Sequence, residues 1–124
     1  MHIIDFDEKK RQKDAIRKKE KQSKLVWQLQ QTGKQQYLLQ LVNETQLDYE
    51  AHQLFLAFIK TVESEKLQTL DVFSDAIKMT RREFHAHYHF DWWTSLQCAL
   101  TFLAIQKETN QQSFEKHIDY FMQY

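Results

Sequence analysis

The side chains best suited by type to do chemistry lie between residues 78 and 98. His85, His87 and His89 alternate ahead of Asp91, and imidazole nitrogens are common ligands for zinc and nickel. On a helix, His85 and His89 share a face at i,i+4 and would chelate together, with Asp91 as a third group and His87 pointing away. A strand would gather all three histidines, but the helical context argues against one. No H-E-x-x-H pattern and no cysteine pair accompanies them, so His85 and His89 remain unsupported candidates, and no metal or other cofactor is expected. Cys98, the one cysteine, sits in an apolar helical stretch and reads as inert core. A glycine-rich phosphate loop and a nucleophile elbow are both missing. No catalytic residue is assigned, and the expectation is a binding protein, not an enzyme.

The second kind of chemistry is recognition of phosphate and bases. Placed on one straight helix, Phe73, Ile77, Thr80, Phe84 and Tyr88 share a face, with Leu70 beside them. Met79 then lands on the polar side. A break at Lys78–Thr80 removes the conflict: Met79 becomes the apolar plug of a tight turn, and Thr80-Arg81-Arg82-Glu83 becomes a capping box opening a second helix. In that broken form residues 70–88 resemble the helix-turn-helix of the tetracycline-repressor family. Phe73 matches its first core residue and Ser74 its small residue. Ile77 and Met79 bracket the turn, Thr80 begins the recognition helix, and Phe84, His85, His87 and Tyr88 echo its aromatic end. Lys78 stands where that family usually has glycine, and the motif lies late in the chain. The resemblance implies that Arg81, Arg82 and His85 face the major groove while Lys78 and the helix N-terminus meet phosphate.

Charge bears on this in both directions. The formal net charge is zero, from 17 basic and 17 acidic residues, but residues 8–24 hold nine Lys/Arg against three acids. The rest therefore carries eight basic and 14 acidic groups, and the stretch 44–75 alone has seven acids against two lysines. The basic arm, with Lys18 and Lys19 in it, suits a polyanion or an acidic partner surface. It also reads as a solvated helix, because Ala15 and Ile16 are its only apolar residues between positions 7 and 24.

The elements that must position these groups are helical. The chain has no proline and a single glycine, Gly33, which argues against hairpins, while its glutamines, lysines, glutamates, leucines and alanines are good helix formers. Its 124 residues fit one domain, with 17 aromatics to build a core. The expected fold is all-α: a compact bundle of five to six helices over residues 25–124, preceded by a basic helical arm over 1–24. Anchoring should begin near Leu25, Val26, Trp27 and Leu29, and Thr32-Gly33 is a C-terminal stop. Helices are expected over about 34–43, 44–63 and 111–122, with Thr45-x-x-Asp48 and Thr109-x-x-Gln112 as capping interactions. Helical character also runs from Leu70 to about residue 107. Residues 92–103 are apolar on several sides, which suits a central helix. The sixteen glutamines are scattered and read as helix surface.

The N-terminal residues lack a signal-peptide pattern, and no apolar stretch is long enough to span a bilayer, so a cytoplasmic location without membrane contact is expected. Three functions follow in order. The first is a small adaptor or regulatory protein that binds a protein partner, within or outside a nucleoprotein assembly, through the aromatics Tyr88, Phe90, Trp92 and Trp93. The second is a DNA-binding regulator using Lys78, Thr80, Arg81, Arg82 and His85, with Lys18 and Lys19 on phosphate. The third is a metal-dependent enzyme. Oligomeric state has no signature here.

Overall fold

The structure is a computed structural model that describes residues 6–123, with side-chain surroundings from residue 18 onward. Among these residues there are seven helices and no strand: α1 (Phe6–Thr32), α2 (Gln35–Asn43), α3 (Tyr49–Ser64), α4 (Thr69–Lys78), α5 (Arg81–His87), α6 (Trp92–Thr109) and α7 (Gln111–Phe121). The all-α expectation holds, with helices more numerous and shorter than the periodicity suggests.

Two helix ends show how the chain turns with so little glycine. Gly33 takes φ 64° and its N–H reaches the Leu29 carbonyl at 2.8 Å, closing α1 as Thr32-Gly33 foretells. At the end of α3, Lys66 takes the same left-handed conformation, φ 60°. Its N–H meets the Glu63 carbonyl at 2.9 Å, and the Leu67 N–H meets the Val62 carbonyl at 3.2 Å. This is a Schellman closure made by a residue with a Cβ, and nothing in the sequence around Lys66 announces it.

α6 occupies the centre and packs against α2, α3, α4, α5 and α7. Eight of its residues are buried, including Leu96, Leu100 and Leu103, and small ones such as Ser95, Ala99 and Ala104 let neighbours approach closely. An aromatic seam joins α3, α4 and α6: Phe73 lies 5.9 Å from Phe58 and 5.6 Å from Phe102, ring centre to ring centre. α7 closes the far side with Phe114, Ile118 and Phe121.

One helix start and one cap differ from the sequence expectation. α3 starts at Tyr49, not near residue 44, because Asp48 is itself the cap, accepting from the Ala51 N–H at 2.8 Å; the Thr45 hydroxyl turns back to the Leu41 carbonyl. α7 is capped by Asn110 and not by Thr109, whose hydroxyl bonds the Ile105 carbonyl. In both cases the threonine back-bonds its own preceding turn, which outcompetes the box. The helical run from residue 70 to 107 is interrupted twice, once at Lys78–Thr80, where the off-stripe Met79 points to a break, and once at residues 88–91, which the sequence reading does not foresee. At the other end of the fold, α1 runs unbroken past residue 24 and packing begins at Gln22, which is buried, while Lys21 pairs with Glu44 at 2.8 Å. The arm side chains at residues 9–17 lie outside the described ones. Among the described residues no helix is long and apolar enough to cross a membrane.

Candidate nucleic-acid interface

The first interruption is at Lys78–Thr80. α4 ends when the Met79 N–H bonds the Asp75 carbonyl at 2.8 Å, and both Met79 (φ −88°, ψ 147°) and Thr80 (φ −66°, ψ 161°) are extended. The Thr80 Oγ1 accepts from the Glu83 N–H at 3.3 Å and donates to the Glu83 carboxylate at 3.0 Å. The capping box is therefore a variant, in which Glu83 meets the threonine hydroxyl and not its backbone N–H. Met79 packs against the core, as a plug for the turn must.

A break in mid-bundle strands carbonyl oxygens, and these must be satisfied. Two distant side chains do it. The Gln30 amide of α1 donates to the Met79 carbonyl at 2.6 Å, with the Ile77 carbonyl at 3.4 Å, and the Trp92 indole N–H of α6 donates to the Ala76 carbonyl at 3.0 Å. The turn is held from both flanks.

α5 hangs on one buried residue, Phe84, which is fully enclosed. From it an aromatic path leads inward: Tyr88 at 4.7 Å, then Phe90, then Phe58. With Phe84 pointing in, Arg82 and Ala86 are exposed on the opposite arc, and Arg81 and His85 are exposed on its flanks. Neither arginine forms an ion pair among the described residues. Lys78, at the turn, is partly buried and engaged.

Of the four aromatics expected to meet a protein partner, Phe90 is buried and Tyr88, Trp92 and Trp93 are half-buried. Phe90 is 8% exposed, and the Tyr88 hydroxyl donates to Asp75. Burial, reinforced by that bond, pushes the Tyr88 phenol well above its ordinary pKa, so it remains a neutral donor. Trp92 is committed to α4, and Trp93 lies under the Lys19 ammonium, 5.5 Å from ring centre. The large apolar side chains that are exposed lie elsewhere, with Tyr49 at 77% and Trp27 at 62%.

The second interruption, at residues 88–91, ends the histidine chelate. α5 stops at His87 and Tyr88 is extended, so His85 and His89 do not share a helical face. Among the described residues no group of three His, Cys, Asp or Glu is placed to hold a metal ion. Asp91 caps α6, accepting from the Thr94 N–H at 2.9 Å and its hydroxyl at 3.0 Å. The Asp91-x-x-Thr94 spacing was the available signal for this boundary. The backbone N–H of Thr94 holds the Asp91 carboxyl below the usual range, helped by the Thr94 hydroxyl and by the electrostatic influence of Arg81 and His85.

Lys19 stands over Trp93, two residues from Asp91, and Asp91 feels Arg81 and His85. The base of the arm and α5 thus each approach the first turn of α6, Lys19 at Trp93 and Arg81 near Asp91. The acids that crowd this region in sequence are each bonded to a hydroxyl: Asp75 to Tyr88, Asp71 to Tyr120 at 2.7 Å, Glu83 to Thr80. No family model matches the chain, and neither does any curated protein or solved structure.

Proposed function

We propose that the protein binds duplex DNA, presenting α5 to the major groove while Lys18 and Lys19 at the base of the arm meet phosphate. The observation that carries this is the capped break at Met79–Thr80, which starts a short separate helix on which Arg81, Arg82 and His85 are exposed. Arginine at the start of such a helix can contact guanine N7 and O6 together, and Ala86 leaves room for close approach. The acids nearby are engaged within the fold, which lowers their freedom to repel a phosphate, although their charge remains. α1 is helical from Phe6, so the arm extends about 24 Å beyond Gln22 at 1.5 Å per residue.

Electrophoretic mobility shifts at two salt concentrations test this. Arg81→Ala or Arg82→Ala should lose about 1–3 kcal/mol at one base position. Replacing Lys18 and Lys19 should weaken binding evenly across sequences and flatten its salt dependence. A second reading, a small adaptor or regulator that binds a protein, draws on the exposed Trp27 and Tyr49. Absence of any shift at low salt, where a basic arm is drawn to phosphate most strongly, leaves that reading alone.

A further inference from the structure

A cavity of about 330 Å³ lies where the base of the arm crosses the bundle, between α1, the α2–α3 connection, α3 and α6. Its size is at the lower end of the range for small-molecule sites. Its walls are of three kinds. Ala51, Leu54 and Trp93 are apolar, and Leu54 remains 47% exposed, so there is uncovered apolar surface for a ligand to remove from water. Gln22 and Thr101 are polar and more than nine-tenths buried, at 7% and 5% exposure. Lys18 and Lys19 stand at the mouth, both exposed.

The polar floor is incompletely bonded. The Gln22 carbonyl oxygen accepts from the Gln97 amide at 3.5 Å, the outer limit of a hydrogen bond, so this contact holds neither amide firmly. The Thr101 hydroxyl donates to the Gln97 carbonyl and keeps acceptor capacity. The charge balance favours an anion. Asp48 is the one carboxylate in the lining, and its Oδ1 is committed to the Ala51 N–H. Glu44, which precedes Thr45 of the lining, is paired with Lys21, and Glu20 and Glu50 beside the lining are exposed to solvent. Burial pushes the Cys98 thiol up to about 12, so the floor contributes no thiolate.

We infer that this cavity is a binding site for a small organic anion with an apolar ring, its carboxylate held by Lys18 and Lys19, its ring against Leu54 and Trp93, and its polar edge on Gln22 and Gln97. The inference does not rest on DNA binding, and its test contains no nucleic acid.

The full chain is titrated with indole-3-acetate and, separately, with its neutral isostere indole-3-acetamide, followed by amide and indole chemical shifts in NMR. The acetate should perturb Gln22, Gln97 and Trp93 and bind about two- to fivefold more tightly than the amide, a ratio set by exposed charge interactions with the two lysines. Lys18→Gln with Lys19→Gln, both surface positions, should abolish that preference while leaving weak binding of both compounds. Ala51→Phe, which fills the cavity, should remove both, with circular dichroism showing the helices intact. Equal affinity for the two compounds, a preference that survives loss of both lysines, shifts centred elsewhere, or no shifts up to the solubility limit would each overturn the proposal.

Discussion

Replacing Phe84 with alanine isolates what holds α5 in place. Phe84 is the one buried residue of that helix and has no exposed surface. Removing a phenyl ring from such a site costs about 3–5 kcal/mol, by lost transfer free energy and by the cavity left behind. For 124 residues the unfolding entropy is about 0.26 kcal/mol per degree, so global unfolding should come about 12–19 °C earlier if the whole cost falls on the native state. A cheaper response exists. α5 has seven residues between two extended breaks, and its other attachments are the Thr80 cap, worth about 1 kcal/mol, and the Tyr88–Asp75 bond. Undocking α5 relieves the cavity, and the measured loss is then capped near the free energy of opening that helix. The expected result is a midpoint shift smaller than the full cavity cost, with amides of residues 81–87 exchanging quickly while those of α4 and α6 stay protected. Hydrogen exchange by mass spectrometry beside urea unfolding reads both quantities. A loss below about 1 kcal/mol with α5 amides as protected as in the parent would refute the single-anchor argument.

Two further substitutions test the local backbone and the local charge. Lys66→Gly should stabilise the chain by about 0.5–1 kcal/mol, seen as a higher urea midpoint, since Lys66 sits at φ 60° where only glycine escapes the Cβ penalty; a lower midpoint would contradict the Schellman assignment. The Asp91 carboxyl is depressed in the folded chain, so its contribution is present above the unfolded value near ~3.9 and is lost as pH falls through the lower folded value. Asp91→Asn keeps a capping acceptor but removes this proton linkage, so its stability should fall less steeply than the parent's at acid pH, and parallel curves would rule the linkage out.

The elements were legible where the pattern of side chains alone decides them. A single off-stripe methionine, Met79, was enough to expose the break in 70–88, because an apolar residue on a wet face has to be accounted for. The crowding of α6 likewise followed from its having too little polar surface to be wetted. What stayed hidden depends on distance in sequence. Nothing near Gln30 says that its amide will serve carbonyls 47 and 49 residues away, and nothing near Lys66 says that it will turn left-handed. The aromatic run from Tyr88 to Trp93 reads equally well as surface or as core. Only the partners, Asp75 and the Ala76 carbonyl, decide that Tyr88 and Trp92 are tied inward. The proposed site was half visible for the same reason: its cations stand out by type, whereas the approach of Lys19 to Trp93 and of Arg81 to Asp91 is a property of packing.

One helix, α1, carries Lys19 against Trp93, Gln22 against Gln97 and Gln30 against the Met79 carbonyl. It therefore works as a phased ruler. Gln22 and Gln30 are about 12 Å apart along the axis and within about 80° of each other around it, so both contacts are met from one side of the rod. Inserting a single residue between them would swing one contact about 100° out of phase with the other, while a change of side chain on the outer face would leave the phase untouched. The buried Leu25, Val26 and Leu29 between them fix the rod in place, and the spacing of the two glutamines sets the phase at which each meets its partner.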